Sequence, residues 1–227
     1  MTTLQTGVRS VPKFPLATTP RIMVAATCWI LCLGFFVIEA IVQSAWTTPY
    51  SMVDNYISDL GATECGTVTI KNYQEYVCSP LHALMNGAYI GVGVLAILGA
   101  ALGRAAWPKG GLATTGLVLV ALAGVGAIIA GVYPENVDLD LHLLGAVIAI
   151  PMSNIGMGLL ALALRRTNPV LSAFTGAAVL IGLTGLVFVA MAPDSGIGLV
   201  ERLAGYPFEI WKVVIGLAVL TAWIRRS

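Results

Sequence analysis

Residues 104–142 read RAAWPKGGLATTGLVLVALAGVGAIIAGVYPENVDLDLH. The stretch opens on Arg104 and Lys109, runs without a charge over residues 112–133, and closes on Glu135, Asp138, Asp140 and His142. About 20 apolar residues, rising 1.5 Å each as a helix, cross a hydrocarbon core of about 30 Å. Lipid offers backbone groups no hydrogen-bond partner, so such a run must be helical. Bases at one end and acids at the other give the crossing a direction.

The pattern recurs along the chain. Apolar segments at 22–46, 81–102, 112–133, 141–164, 170–191 and 207–224 predict six spans. Of the 227 residues 58% are hydrophobic and 10% charged, against about 25% charged in soluble domains. Such a chain cannot cover a water-facing surface, and its length leaves no room for a separate soluble domain. The expected fold is all-α: a polytopic six-helix membrane bundle, with residues 1–21 as a cytoplasmic tail and 22–227 as one transmembrane domain. The first segment is too long, and too poor in small residues at its end, for a cleaved signal peptide.

Arg9, Lys13 and Arg21 precede the first span, Arg104 and Lys109 join the second to the third, Arg165 and Arg166 join the fourth to the fifth, and Arg225 and Arg226 end the chain. With six spans all of these share one side, which carries no acid. The positive-inside rule makes that side cytoplasmic, with both termini inside and the plasma membrane as the expected location. The acids lie on the other side, with Lys71, Arg202 and Lys212. The first outer loop is the longest connection, which suggests an ordered cap. Cys65 and Cys78 lie in it, and on an oxidising face they are expected to bridge. Cys28 and Cys32, four apart within the first span, read as packing residues. Gly87 and Gly91 have small-xxx-small spacing, which suits packing within the bundle or a homo-oligomer contact.

The polar residues gather near the outer boundary. The first loop brings Asp54, Asn55, Ser58 and Asp59, and His82 and Asn86 open the second span on one face. The loop before the fourth span adds Glu135, Asn136, Asp138, Asp140 and then His142. The last loop and sixth span add Asp194, Glu201, Arg202, Glu209 and Lys212. Glu39, Glu209 and Lys212 fall inside spans, where a lone charge costs a few kcal/mol and therefore pairs or lines a wet cavity. Trp211 suits either a cavity wall or an interface anchor. Ser153 and Asn154, after Pro151, are the notable polarity at mid-depth and suit a kink. Two histidines with Asp59 or Asp138 have the residue types of a catalytic zinc site, but no compact ligand spacing occurs, so no metal is expected. Histidine with carboxylate is equally a metal-free acid–base pair.

"NYISDLGA", "SPLHALMNGAYI", the histidine of "DLHLLGA", and "GLVERLAGYPFEIWKVVIG" together resemble a bacterial and archaeal six-span family known only as domain of unknown function 998. The "ISDLG" turn is also similar to an element of DRAM-type and GPI-lipid-remodelling membrane proteins. The first resemblance implies a six-helix bundle without established chemistry, the second lipid-related work at the outer leaflet. The alkaline ceramidases and adiponectin-type receptors are similar in placing His and Asp at a membrane boundary. They use seven spans and three histidines, against six and two here.

The leading expectation is a membrane protein that binds a lipid or amphipathic small molecule in an outward-facing pocket, with processing of that molecule as an open option. Asp54, Asn55, Ser58, Asn86, Glu135, Glu201, Arg202, Glu209 and Lys212 are the binding candidates. Were it an enzyme, it would be a lipid-directed hydrolase or transferase, with His82, His142, Asp59 and Asp138 as the catalytic candidates. The alternatives are a non-catalytic accessory or scaffold protein and, third, a transporter. Membrane lipids are the expected partners, and a net charge of +1 gives no argument for nucleic acid.

Overall fold

A computed structural model describes residues 20–193 and 195–224. Residues 1–19, Asp194 and residues 225–227 lie outside the described residues, and the end of the expected tail, Pro20 and Arg21, opens the first helix. The helices are α1 (Pro20–Leu31), α2 (Gly34–Ser44), α3 (His82–Gly103), α4 (Gly111–Val132), α5 (Leu139–Leu164), α6 (Pro169–Met191) and α7 (Ile197–Ile224). The pair α1–α2 acts as one span, so six helices among the described residues are long and apolar enough to cross a membrane. This is an integral, multi-pass, all-α membrane protein.

Four spans follow the apolar runs closely, and two depart from them. The first is interrupted at Cys32 and Leu33, just before Gly34, where the hydrogen bonds shorten to a three-residue pattern. Glycine weakens helix propagation at that point. The last span starts at Ile197 rather than at Pro207, so Glu201 and Arg202 stand on a helix and not in a loop. Pro207 lies inside α7, lacking an N–H to donate to the preceding turn.

The helices pack through small residues. A Cβ built on Gly93 of α3 would collide with the Gly124 carbonyl oxygen of α4, so only glycine permits that approach. Gly87 and Gly91 have no neighbour within 4 Å where a Cβ would stand, so the close approach is made elsewhere on α3. Toward the basic end, Trp29, Trp107 and Trp211 cluster, with Trp29 and Trp211 ring centroids 5.2 Å apart. Trp211 is fully buried and donates from Nε1 to Thr175 Oγ1 at 3.0 Å, so it is core rather than an interface anchor.

The opposite end carries a folded cap. It holds a short 3-10 turn (Ser58–Gly61) and a hairpin of β1 (Gly66–Ile70) and β2 (Tyr73–Val77), paired antiparallel. Lys71 takes a positive φ of 52° at the hairpin turn. The Cys65–Cys78 disulfide closes the hairpin at its base, beside the Gly66–Val77 pair. Cys28 and Cys32 are free and buried.

Candidate functional site

Two different kinds of polar environment occupy the capped end. The outer one is a network of ties. Arg202 of α7 gives Nη2 to Glu39 Oε1 at 3.2 Å and to the Tyr50 hydroxyl at 2.7 Å. Its Nη1 reaches the carbonyls of Met52, Asn55 and Gly198 at 3.0–3.1 Å, and its Nε reaches the Tyr206 hydroxyl. Tyr206 in turn donates to both Glu39 oxygens at 2.7 and 2.8 Å. The Glu39 charge within the first span is thereby neutralised from the last one, as burial in lipid demands.

Most of the sequence-predicted site residues belong to this network. Asp54 accepts from the Gly196 N–H and the Ser51 hydroxyl. Asn55 accepts from the Ser51 N–H and donates to the Tyr73 hydroxyl. Asn86 donates to the Gly61 carbonyl at 2.8 Å, pinning the 3-10 turn to α3. Asp138 is the N-cap of α5, accepting from Leu141 N–H at 3.0 Å. His82 sets Nδ1 2.9 Å from the Ser79 carbonyl at the start of α3. Glu201 accepts from the Ile57 N–H, joining α7 to the cap.

Asp59 and Glu135 form a buried acid pair within this layer, 0% and 4% exposed. Tyr73 donates its hydroxyl to Asp59 Oδ2. No other donor meets Asp59 Oδ1 or either oxygen of Glu135. Burial pushes the Glu135 carboxyl well above the usual carboxylate range, and the adjacent Asp59 charge adds to that. Asp59 is also raised by burial, against the opposing hydrogen bonds from Glu135 and Tyr73. Two carboxyls in contact cannot both ionise cheaply. A proton held on Glu135 and shared with Asp59 supplies the missing donor, and Ser58 stands beside them.

The inner environment is a chamber of about 120 Å³ among α3, α4, α5 and α7. Its walls are mostly apolar, with many small residues, among them Gly93, Ala123, Ala127 and Ala149. Into them are set His142 and Ser153 from α5, and Glu201, Tyr206, Glu209 and Lys212 from α7. His142 to Ser153 spans about 16 Å of helix, so the chamber reaches from the capped end to about mid-membrane. Lys212 is 1% exposed and donates to Glu209 Oε1 at 2.8 Å, with its ammonium 4.4 Å from the Phe208 ring centroid. Glu209 Oε2 is buried without a partner. His142 Nδ1 faces two carbonyls, Tyr133 at 3.0 Å and Ala130 at 3.2 Å. It must therefore carry the proton, which makes Nε2 the basic nitrogen.

Of the predicted residues, the chamber brings together His142, Glu201, Glu209 and Lys212, while His82, Asp59 and Asp138 lie outside its lining. Tyr206, Tyr73 and Tyr50 were missed by sequence reasoning. The spacing of Arg202 and Tyr206, four apart on one helical face, was the available signal. Among the described residues no three His, Cys, Asp or Glu side chains gather in a group able to hold a metal ion. A second groove, of about 450 Å³ between α6 and α7, has an apolar lining in which the polar ends of Arg202 and Tyr206 are already bound.

A six-span bundle with a disulfide-closed cap and a polar-lined chamber at the capped half defines a polytopic membrane protein without an assigned chemistry. Residues 30–218 match the family described as "Protein of unknown function (DUF998)", and the chain belongs to that family. No curated protein and no solved structure matches it.

Proposed function

We propose that the protein binds a lipid or amphipathic small molecule in the chamber between α3, α4, α5 and α7. The observation that carries this reading is the buried, unpartnered Glu209 Oε2, with the His142 ring beside it on the lining, in a cavity whose walls are mostly apolar. Concave, mostly apolar sites with a few convergent polar groups are the usual form of small-molecule pockets. Buried polar atoms without partners are costly unless something else meets them. The protein resides in the plasma membrane with both termini in the cytoplasm. Supporting this are Arg104, Arg165 and Arg166 at one end and the disulfide-closed cap at the other.

The test is mass spectrometry of lipids and small molecules retained by gently purified protein, for wild type, His142→Ala and His82→Ala. The expected result is ligand lost from His142→Ala and kept by His82→Ala, with both folded. Equal retention by all three proteins would overturn the reading. A scaffold role is the second reading, favoured by the polar groups of Asp54, Asn55, Asn86 and Asp138 being engaged within the chain. Its signature is loss of stability in variants of those residues with no ligand in any preparation.

A further inference from the structure

We infer that the polar end of the chamber's ligand is a hydrogen-bond donor without negative charge: an alcohol or an amine on a hydrocarbon body. The inference rests on the chamber being a binding site and assigns the class of molecule it takes. The argument is an inventory of donors and acceptors. Three donors on the wall are already engaged, and a fourth, the Tyr89 hydroxyl of α3, is neutral and both donates and accepts, so an alcohol or amine can meet it without bringing charge. Ser153 gives its hydroxyl to the Ile150 carbonyl at 2.8 Å. Tyr206 gives its hydroxyl to Glu39. The Lys212 ammonium is held between Glu209 Oε1 and the Phe208 ring.

The acceptors differ. Glu209 is nine-tenths buried, and its Oε2 meets no donor. His142 donates through Nδ1, which leaves an acceptor at Nε2. A phosphate or carboxylate head brought here would meet carboxylate oxygen and imidazole lone pair, with the one ammonium already paired. That arrangement repels anions and rewards O–H or N–H. Size narrows the class further. A cavity of 150 Å³ holds benzene, so about 120 Å³ takes a polar end and a few carbons, not a phospholipid headgroup.

The experiment uses full-length protein in detergent and three diazirine-bearing probes with the same sixteen-carbon chain: hexadecanol, hexadecylamine and palmitate. Cross-links are mapped to α5 and α7 peptides. Alcohol and amine are expected to label those peptides about tenfold more than palmitate, the worth of one charge-assisted hydrogen bond. In Glu209→Gln, whose amide can turn a donor inward, that preference should shrink or reverse. Ala127→Phe, which fills the chamber, should abolish labelling by all three. Palmitate labelling as strong as alcohol, lost on Ala127→Phe, would overturn the donor class while leaving the pocket standing. No labelling of α5 or α7 by any probe would overturn the pocket itself. Should Ala127→Phe fail to fold, competition by unlabelled hexadecanol against unlabelled palmitate in the wild-type protein decides between the same outcomes.

Discussion

The cap network and the chamber hold the same residue types within one half of the molecule, yet their chemistry is opposite. In the cap, Arg202 reaches six acceptors and Asn86, Asp54 and Asp138 each meet a backbone partner. The cap's unpartnered oxygens, on Asp59 and Glu135, belong to two carboxyls set against each other, whereas Glu209 Oε2 stands without a partner on the chamber wall. A polar side chain near a membrane boundary is therefore weak evidence for a site. A polar atom left unsatisfied on a cavity wall is stronger.

Three perturbations sharpen that contrast, and the largest strikes the network. Arg202→Met leaves Glu39 buried without its cation, for which about 3–5 kcal/mol of destabilisation is expected. The double variant Arg202→Met with Glu39→Gln should recover much of it. Thermal unfolding in detergent reads both, and a single variant as stable as wild type would show that the ties carry no load.

Next in size is the acid pair. A carboxyl whose folded value is raised binds protons more tightly in the folded state, so its stabilisation is complete below the ordinary carboxylate value of 4.5 and is lost as pH climbs through the raised value. Unfolding temperature should accordingly fall as pH rises from about 4.5, and Glu135→Gln should flatten the slope. An unchanged slope in that variant would remove the shared proton from the account.

The smallest effect is expected from Asp138→Ala, which deletes the N-cap of α5 at a cost of about 1 kcal/mol. Chamber occupancy, followed by the retained-ligand measurement, should not change. Loss of ligand at preserved stability would move Asp138 from the ties to the site.

The six spans, the cap and its disulfide were legible because each depends on local composition: long uncharged runs, bases confined to alternate connections, and two cysteines in one outer loop. The upstream turns of α7 were not. Glu201 and Arg202 read as loop residues because their partners, Ile57, Glu39 and Tyr50, lie more than a hundred residues away. The break at Cys32 and Leu33 was hidden by uniform apolarity, since hydropathy does not register a missed helical hydrogen bond. The candidate site was legible as a depth and not as a list. His142, Glu209 and Lys212 line the chamber, but His82 has the same residue chemistry at a similar depth and lies outside the lining, and only the packing of α3 against the cap separates them.

The bonds from Arg202 and Glu201 to residues 52–57 set an order of events during biosynthesis. The outer loop emerges from the ribosome some 150 residues ahead of its anchor. At about 5–20 residues per second it waits on the order of ten to thirty seconds. Its hairpin and cysteine bridge need only neighbours thirteen positions apart and can form at once. Asn86 can hold the 3-10 turn as soon as α3 is made, but the seating of residues 52–57 belongs to the final segment, so a chain halted before residue 197 would leave that stretch without its anchor.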